Sequence, residues 1–347
     1  MKKYIKLTQN GKTNITMNLD NELNLAKKTA KEAGIFLISQ KEDLSKPIYS
    51  QDKDIKLEAD IKTEALIKSM LEKESSFPIL GEESGASISN LGDTFWVVDP
   101  LDGTANFSRD IPISCVSIAL IKNGSPILGV IYDFNHKDLY SGSEVHTATL
   151  NDAEIHVSSI KSKDLATIVT GLPANTDFSD AAMKRMIGDF QSWKKVRMIG
   201  SAAMASVYVA SGKADLYKEY GIYLWDIAAG AAIVNAAGGS VSILNQNDNY
   251  QVDAFFSNNF LENEDETMEK AGIECNDILS CIQLTFEHEM IHGIMFCLCR
   301  NYMIMDGPGS WQGKFHNKSA HSKTFMTILN NIFGQDDYAS DIFSSEK

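Results

Sequence analysis

Trp96-Val97-Val98-Asp99-Pro100-Leu101-Asp102-Gly103-Thr104 carries the densest chemical signal in the chain. Aromatic and β-branched residues at 95–98 predict a strand that delivers Asp99 to its carboxyl end. Pro100 has no N–H for a ladder and is expected to end the pairing, while Gly103 lets backbone approach a ligand closely. Two carboxylates three residues apart across such a turn can grip hard cations, which prefer oxygen ligands and often leave positions open for substrate phosphate. If a helix begins at Gly103 and Thr104, its unpaired N–H groups face that phosphate. The same aspartates could instead cap a helix or form an Asx turn, the common fate of Asp beside Pro and Gly, and the stretch by itself leaves both open.

Neighbouring segments shift the balance. Gly81-Glu82-Glu83-Ser84-Gly85 follows a predicted strand at 77–80, and two adjacent acids repel unless solvated or paired with a cation; Glu83 is read as solvated. Asp60 opens a predicted helix at 60–74, where an N-cap role can coexist with support of the site. That helix places Leu66, Ile67, Met70 and Leu71 on one face, and an earlier one at 18–40 does the same with Leu19, Leu23, Ala26, Ala30, Ala33 and Leu37, with Asn18 and Asp20 as caps. Strands are expected at 114–121 and 126–132, joined as a hairpin through Lys122-Asn123-Gly124. From Gly200 to Gly239 the pattern is helix, strand, helix, stopped by Gly238-Gly239, with Asp226 in the first turn of the last helix. Helices and strands mix too irregularly for a βαβ repeat, so the fold class expected is layered α+β.

Composition sets outer bounds. The 347 residues are 44% hydrophobic and 22% charged, enough apolar material for a large core. A formal net charge of -14 disfavours nucleic acid and anionic membranes as partners and suits a carboxylate-lined cleft that concentrates cations. The start, MKKYIKLTQNGKTN, lacks the continuous apolar stretch of a secretion signal, and the apolar run at 290–305 is too short to span a bilayer, so the expected location is cytoplasmic. Five cysteines, four of them in the last quarter and none in a CxxC pair, are read as free thiols.

Five separated motifs stand in a recognisable order: Glu58-Ala59-Asp60, Gly81-Glu82-Glu83-Ser84, Asp99 through Phe107, Gly200-Ser201-Ala202-Ala203, and Trp225-Asp226-Ile227-Ala228-Ala229-Gly230. By them residues 18–272 resemble the inositol monophosphatase group of lithium-sensitive, magnesium-dependent phosphatases. The resemblance implies a layered α/β sandwich of the inositol monophosphatase and fructose-bisphosphatase type acting on a small phosphorylated metabolite. It implies one magnesium on Glu82, Asp99 and the carbonyl of Leu101, and a second on Asp99, Asp102 and Asp226. Glu82 would also orient the attacking water, Thr104 paired with Asp60 would assist its deprotonation, and the Gly103 and Thr104 amides would bind phosphate.

On the substrate side the same resemblance implies contacts from Asp102, Ser201, Ala202 and Glu219, which favours a polyol phosphate such as inositol monophosphate. Relatives that remove the 3′-phosphate of adenosine 3′,5′-bisphosphate usually carry Lys-Glu-Phe where this chain has Ala105-Asn106-Phe107. That leans away from a nucleotidase and leaves sugar phosphates open. A homodimer is a further expectation of the resemblance.

A second signal lies past a boundary placed near residue 272, after the acidic run LENEDETMEK. His288-Glu289-Met290-Ile291-His292 is an H-E-x-x-H pattern, which on a helix sets two imidazoles one turn apart for zinc with a Glu beside the metal-bound water. With His321 and the apolar positions Met326, Ile328, Leu329 and Ile332, residues 279–334 resemble part of the core of SprT-like zinc metalloproteases. The resemblance implies zinc on His288, His292 and His321 and a general base at Glu289, in a small, mainly helical, zincin-like segment at 273–347. Fewer than twenty residues precede the pattern within that segment, too few for the family's sheet, and no downstream CxxC follows. A zinc peptidase, a zinc-binding remnant and a helix with packing histidines therefore all remain open.

Overall fold

The computed structural model describes residues 19–41, 47–51, 54–173, 176 and 178–261. The boundary expected near 272, and His288, Glu289, His292 and His321 beyond it, lie outside the described residues.

Leu19–Ser39 forms α1, which buries Leu23, Ala26, Ala30, Ala33 and Leu37 at the spacing the sequence predicts. An antiparallel pair, β1 (Pro47–Gln51) and β2 (Asp54–Leu57), leads into α2 (Glu58–Glu74). The buried face of α2 is Ala59, Asp60, Thr63, Glu64, Ile67 and Leu71, with polar side chains in half of its positions. Apolar periodicity therefore shows only the second half of that face. Asp60 is not the cap: Leu57 holds that place, and its N–H donates to Oδ2 of Asp60 at 2.7 Å from the third helical position.

A large sheet follows: β3 (Ile79–Gly81), β4 (Gly85–Ala86), β5 (Thr94–Asp102), β6 (Cys115–Lys122), β7 (Ser125–Asp133), β8 (Asp138–Ser143), β9 (His146–Leu150) and β10 (Ala153–Glu154), in the order β10-β9-β8-β7-β6-β5-β3-β4. Only β3 and β5 run parallel. Asn123 and Gly124 both adopt positive φ between the paired Lys122 and Ser125, the two-residue turn that an Asn-Gly sequence favours.

The smaller sheet has the order β12-β11-β13-β15-β14, from β11 (Thr167–Thr170), β12 (Lys195–Met198), β13 (Leu216–Tyr223), β14 (Ser240–Leu244) and β15 (Gln251–Ser257). The remaining helices are α3 (Thr104–Phe107), α4 (Asp180–Ser192), α5 (Ala202–Ala210) and α6 (Leu224–Ala236).

Layering follows from which faces are apolar. Helices α1 and α2 cover one face of the large sheet, and α5 and α6 lie between the two sheets. Along β5, β6 and β7, alternate residues serve different cores: Trp96, Val98, Ile118, Leu120, Leu128 and Val130 join the core under α1 and α2, while Val97, Ala119, Ile121 and Ile131 join the one around α5 and α6. Both faces are covered, so these antiparallel strands read as unbroken apolar runs instead of alternating. For the same reason α5 and α6 are apolar all round.

Ile118 is fully buried in the first of these cores. Ile118→Ala is expected to cost about 2–5 kcal/mol in a urea titration. Val145→Ala, at a position 65% exposed, should stay within about 0.5 kcal/mol.

Candidate active site

Element ends meet around one cavity of about 230 Å³, whose wall includes the carboxylates of Glu82, Asp99, Asp102, Glu219 and Asp226. They come from four places: the loop after β3, the end of β5, strand β13 and the first turn of α6.

The β5 end shows why two aspartates three residues apart can share a wall. In a regular strand they would point to opposite faces. Asp99 pairs with Ser117 and Asp102 with Cys115, so three steps on β5 match two on β6. The extra residue is a bulge that restores both side chains to one side. Pro100 therefore sits within a bulge and does not end the strand as expected; the strand continues to Asp102. The N–H of Leu101 donates to Oδ1 of Asp99 at 2.9 Å.

Gly103 then turns the chain at φ 87° into α3, and a Cβ there would stand 2.7 Å from the carbonyl oxygen of Ile113. The Thr104 hydroxyl is within donating distance of Oδ1 of Asp60 at 3.2 Å and of the Leu101 carbonyl at 2.9 Å. Nδ2 of Asn106 donates to the carbonyls of Ile113 and Ile199, each at 2.8 Å, which fastens α3 to the segment leading into α5.

Asp102 meets the start of α5. Its Oδ2 accepts from the hydroxyl of Ser201, the N-cap, and from the Ala203 N–H at 2.8 Å. Asp226 is the third residue of α6 and accepts from the Tyr223 N–H at 3.2 Å. Glu219 accepts from the buried Tyr217 hydroxyl at 2.6 Å. Glu82 is half-buried, and its N–H donates to the Val98 carbonyl at 3.1 Å.

Electrostatics set these groups against one another. Burial pushes Glu82 up to about 8 against the lowering effect of a hydrogen bond with Asp99, and the charges of Asp60, Glu83 and Asp102 add to the rise. Burial lifts Asp99 well above the carboxylate range, reinforced by Glu82, Asp102 and Asp226, and it lifts Asp226 in the same way, reinforced by Glu82 and Asp102. Asp102 is raised by burial against the opposing effect of its donors. Burial brings Asp60 and Glu219 each to about 7.

Among the described residues, no lysine, arginine or histidine lines the cavity. Nor, among the described residues, do three acidic, histidine or cysteine side chains already close on one point as a metal would draw them. The donors are all oxygens, they are mutually repelling, and they adjoin the Leu101 carbonyl, which is the donor set of a hard divalent cation such as magnesium. Zinc sites in proteins usually include a His nitrogen or Cys sulfur, and among the described residues none lines this cavity.

The structure thus brings Glu82, Asp99, Leu101, Asp102, Gly103, Thr104, Ser201, Ala202, Glu219 and Asp226 to one cavity, with Asp60 behind Thr104. Sequence reasoning missed Glu64, whose carboxylate holds the Glu83 and Ser84 N–H groups, as well as Tyr217 and the 170–173 wall. For Glu64 a signal existed: it stands one helical turn beyond Asp60 on the same face. Glu83, expected in a merely solvated turn, has its backbone tied down by that contact.

Comparison with known proteins places these residues in context. The description Inositol monophosphatase family matches residues 18–277, ending short of His288. The chain is 36% identical over 228 residues to the Nus factor SuhB of Xylella fastidiosa, covering 63% of this chain and 80% of that one. It is 38% identical over 198 residues to an inositol-1-monophosphatase of Synechocystis sp., covering 54% and 67%. Among solved structures, inositol monophosphatase from Anabaena (Nostoc) sp. superimposes with TM-score 0.61 at 31% identity, over 70% of this chain and 93% of that one. Among the described residues no helix is long and apolar enough to cross a membrane.

The raised carboxyls predict a pH signature in protein stripped of metal. Between pH 4 and 8 the unfolded chain has released protons that folded Glu82 (pKa about 8) and Asp60 (pKa about 7) still hold. The unfolded state then binds fewer protons, so stability falls as pH rises through that window. Metal-free Asp99→Asn should melt a few degrees above the wild type at pH 8, with the gap narrowing toward pH 5 in a thermal scan. Equal melting at pH 8 would contradict the mutual repulsion.

Proposed function

The chain belongs to the inositol monophosphatase family, a family of phosphoric monoester hydrolases, and on that premise we propose that it hydrolyses the monoester of a small polyol phosphate, inositol monophosphate first. One observation carries the reading: five carboxylates and no basic side chain, among the described residues, line a cavity beside the Gly103-Thr104 turn. Such a wall repels a phosphate unless cations stand between them.

Magnesium would be held by Glu82, Asp99, the Leu101 carbonyl, Asp102 and Asp226, and when bound it neutralises phosphate charge, eases deprotonation of water and stabilises the leaving oxygen. The chain's own groups supply the rest. Asp60 and the Leu101 carbonyl fix the Thr104 hydroxyl, and burial sets Asp60 at about 7, where a carboxylate can accept a proton near neutral pH. Glu82, on the same cavity wall, would orient the attacking water. The Gly103 and Thr104 amides, at the cavity wall where α3 starts, would bind the phosphate. Ser201 and Ala202 wall the cavity beside Asp102.

Selectivity rests on Glu219. Tyr217 occupies one of its oxygens and leaves acceptor capacity for substrate hydroxyls. A site built to bond hydroxyls rejects analogues that lack them. A nucleotidase is less well supported, because the Asn106 side chain is engaged with the Ile113 and Ile199 carbonyls and adds no charge for a second phosphate.

A phosphate-release screen over inositol phosphates, sugar phosphates and adenosine 3′,5′-bisphosphate with magnesium tests this directly. Inositol monophosphate should give the highest kcat/KM, millimolar lithium should inhibit, and Asp99→Asn should lose more than about 100-fold. A bisphosphate nucleotide turned over best would overturn the polyol reading. Glu219→Gln should raise KM for the polyol phosphate while sparing p-nitrophenyl phosphate; an equal loss on both would remove Glu219 from specificity.

A further inference from the structure

Glu64 is 2% exposed, ionisable, and unused by the chemistry above. Its Oε2 accepts from the Glu83 N–H at 2.8 Å, and its Oε1 accepts from the Ser84 N–H at 3.1 Å and from the Ser84 hydroxyl. Lys68, one turn further along α2, donates to the same Ser84 hydroxyl at 2.9 Å. A carboxylate that gathers three donors of one loop is a clamp on that loop.

The clamped loop carries Glu82. On one side the Glu82 N–H is fixed to Val98 of β5, and on the other the next two N–H groups are fixed to Glu64. One turn before Glu64, Asp60 reaches Thr104. A single helix face thus sets the Glu82 loop and the α3 turn relative to each other. The position before Glu82 is cut to fit: a Cβ on Gly81 would fall 2.5 Å from the Glu64 carboxylate.

We propose that Glu64 is a positioning residue for the metal site, holding the Glu82 loop so that its carboxylate faces the cation shared with Asp99. This rests on the reading of Glu82 as a magnesium ligand. Glutamine cannot replace it, since its amide would turn an NH2 toward an N–H donor; aspartate is one methylene short.

The test uses the full chain and two readouts, thermal midpoint against magnesium concentration and phosphate release. In Glu64→Gln the magnesium concentration for half-maximal stabilisation should rise about tenfold or more, while KM at saturating magnesium changes less than about threefold. Gly81→Ala leaves every charge in place but displaces the Glu64 carboxylate, so it should shift the magnesium midpoint in the same direction. It carries the test if Glu64→Gln fails to fold. The double variant should be no worse than the more severe single one, because both break one contact. Ser84→Ala keeps both N–H bonds and should shift it less than Glu64→Gln.

A wild-type magnesium response shared unchanged by folded Glu64→Gln or Gly81→Ala would overturn the role of Glu64 alone, as would additive effects in the double variant. A wild type that neither gains stability from magnesium nor releases phosphate would overturn the metal reading itself, and this one with it.

Discussion

Like charges held close together away from water are unstable unless something opposes them, and the architecture around Glu82, Asp99, Asp102 and Asp226 is shaped by that fact. Within the described part of the chain the fold brings no basic side chain to the cavity wall. It instead anchors the three aspartates through neutral donors: the Leu101 N–H on Asp99, Ser201 and the Ala203 N–H on Asp102, and the Tyr223 N–H on Asp226. A carboxylate has about four lone-pair sites, so such anchoring orients it and still leaves capacity for a cation. A lysine in the same place would have balanced the charge permanently and closed the site to metal.

Rigid delivery of these groups comes from the layers. Helices α5 and α6 are wedged between two sheets, and their starts carry Ser201 and Asp226 to the cavity. Strand β5 is buried on both faces from Trp96 to Asp102, and its bulge falls at Pro100-Leu101, where a residue without an N–H is tolerated. The short helix α3 is then tied back by Asn106 to the Ile113 and Ile199 carbonyls. Functional groups on loop ends gain their precision from these scaffold contacts.

Much of this was legible in the sequence where the signal is local. The strand, proline and glycine around Asp99, the Asn123-Gly124 turn and the helix opening at Leu224 are short-range patterns, and the structure shows them near the expected positions. What could not be read is what depends on distant partners. Half of the buried face of α2 is polar, because Asp60 and Glu64 reach Thr104 and the loop at 83–84, so apolar periodicity undercounts it. Pro100 reads as a stop from sequence because the tolerance of a bulge depends on register with β6. Tyr217 has the residue type of ordinary strand core, and only its hydroxyl's bond to Glu219 ties it to the cavity. The H-E-x-x-H pattern at 288–292 lies outside the described residues.

Protons and cations compete for the same oxygens, which sets how such a site must behave. A carboxyl whose pKa stands near 8, as at Glu82, holds a proton at neutral pH until a cation displaces it. A metal bound there would release protons, and part of its intrinsic affinity would be consumed in removing them and in overcoming the repulsion that remains. Tight mutual packing of the acids thus weakens the observed affinity even as it raises the charge available. A phosphatase benefits from that compromise, because a cation held too firmly by its carboxylates would have little remaining attraction for the phosphate and leaving oxygens, where stabilisation in the transition state counts. The carboxylate spacing that sets these groups against one another would, on this view, also keep a cation held among them reactive.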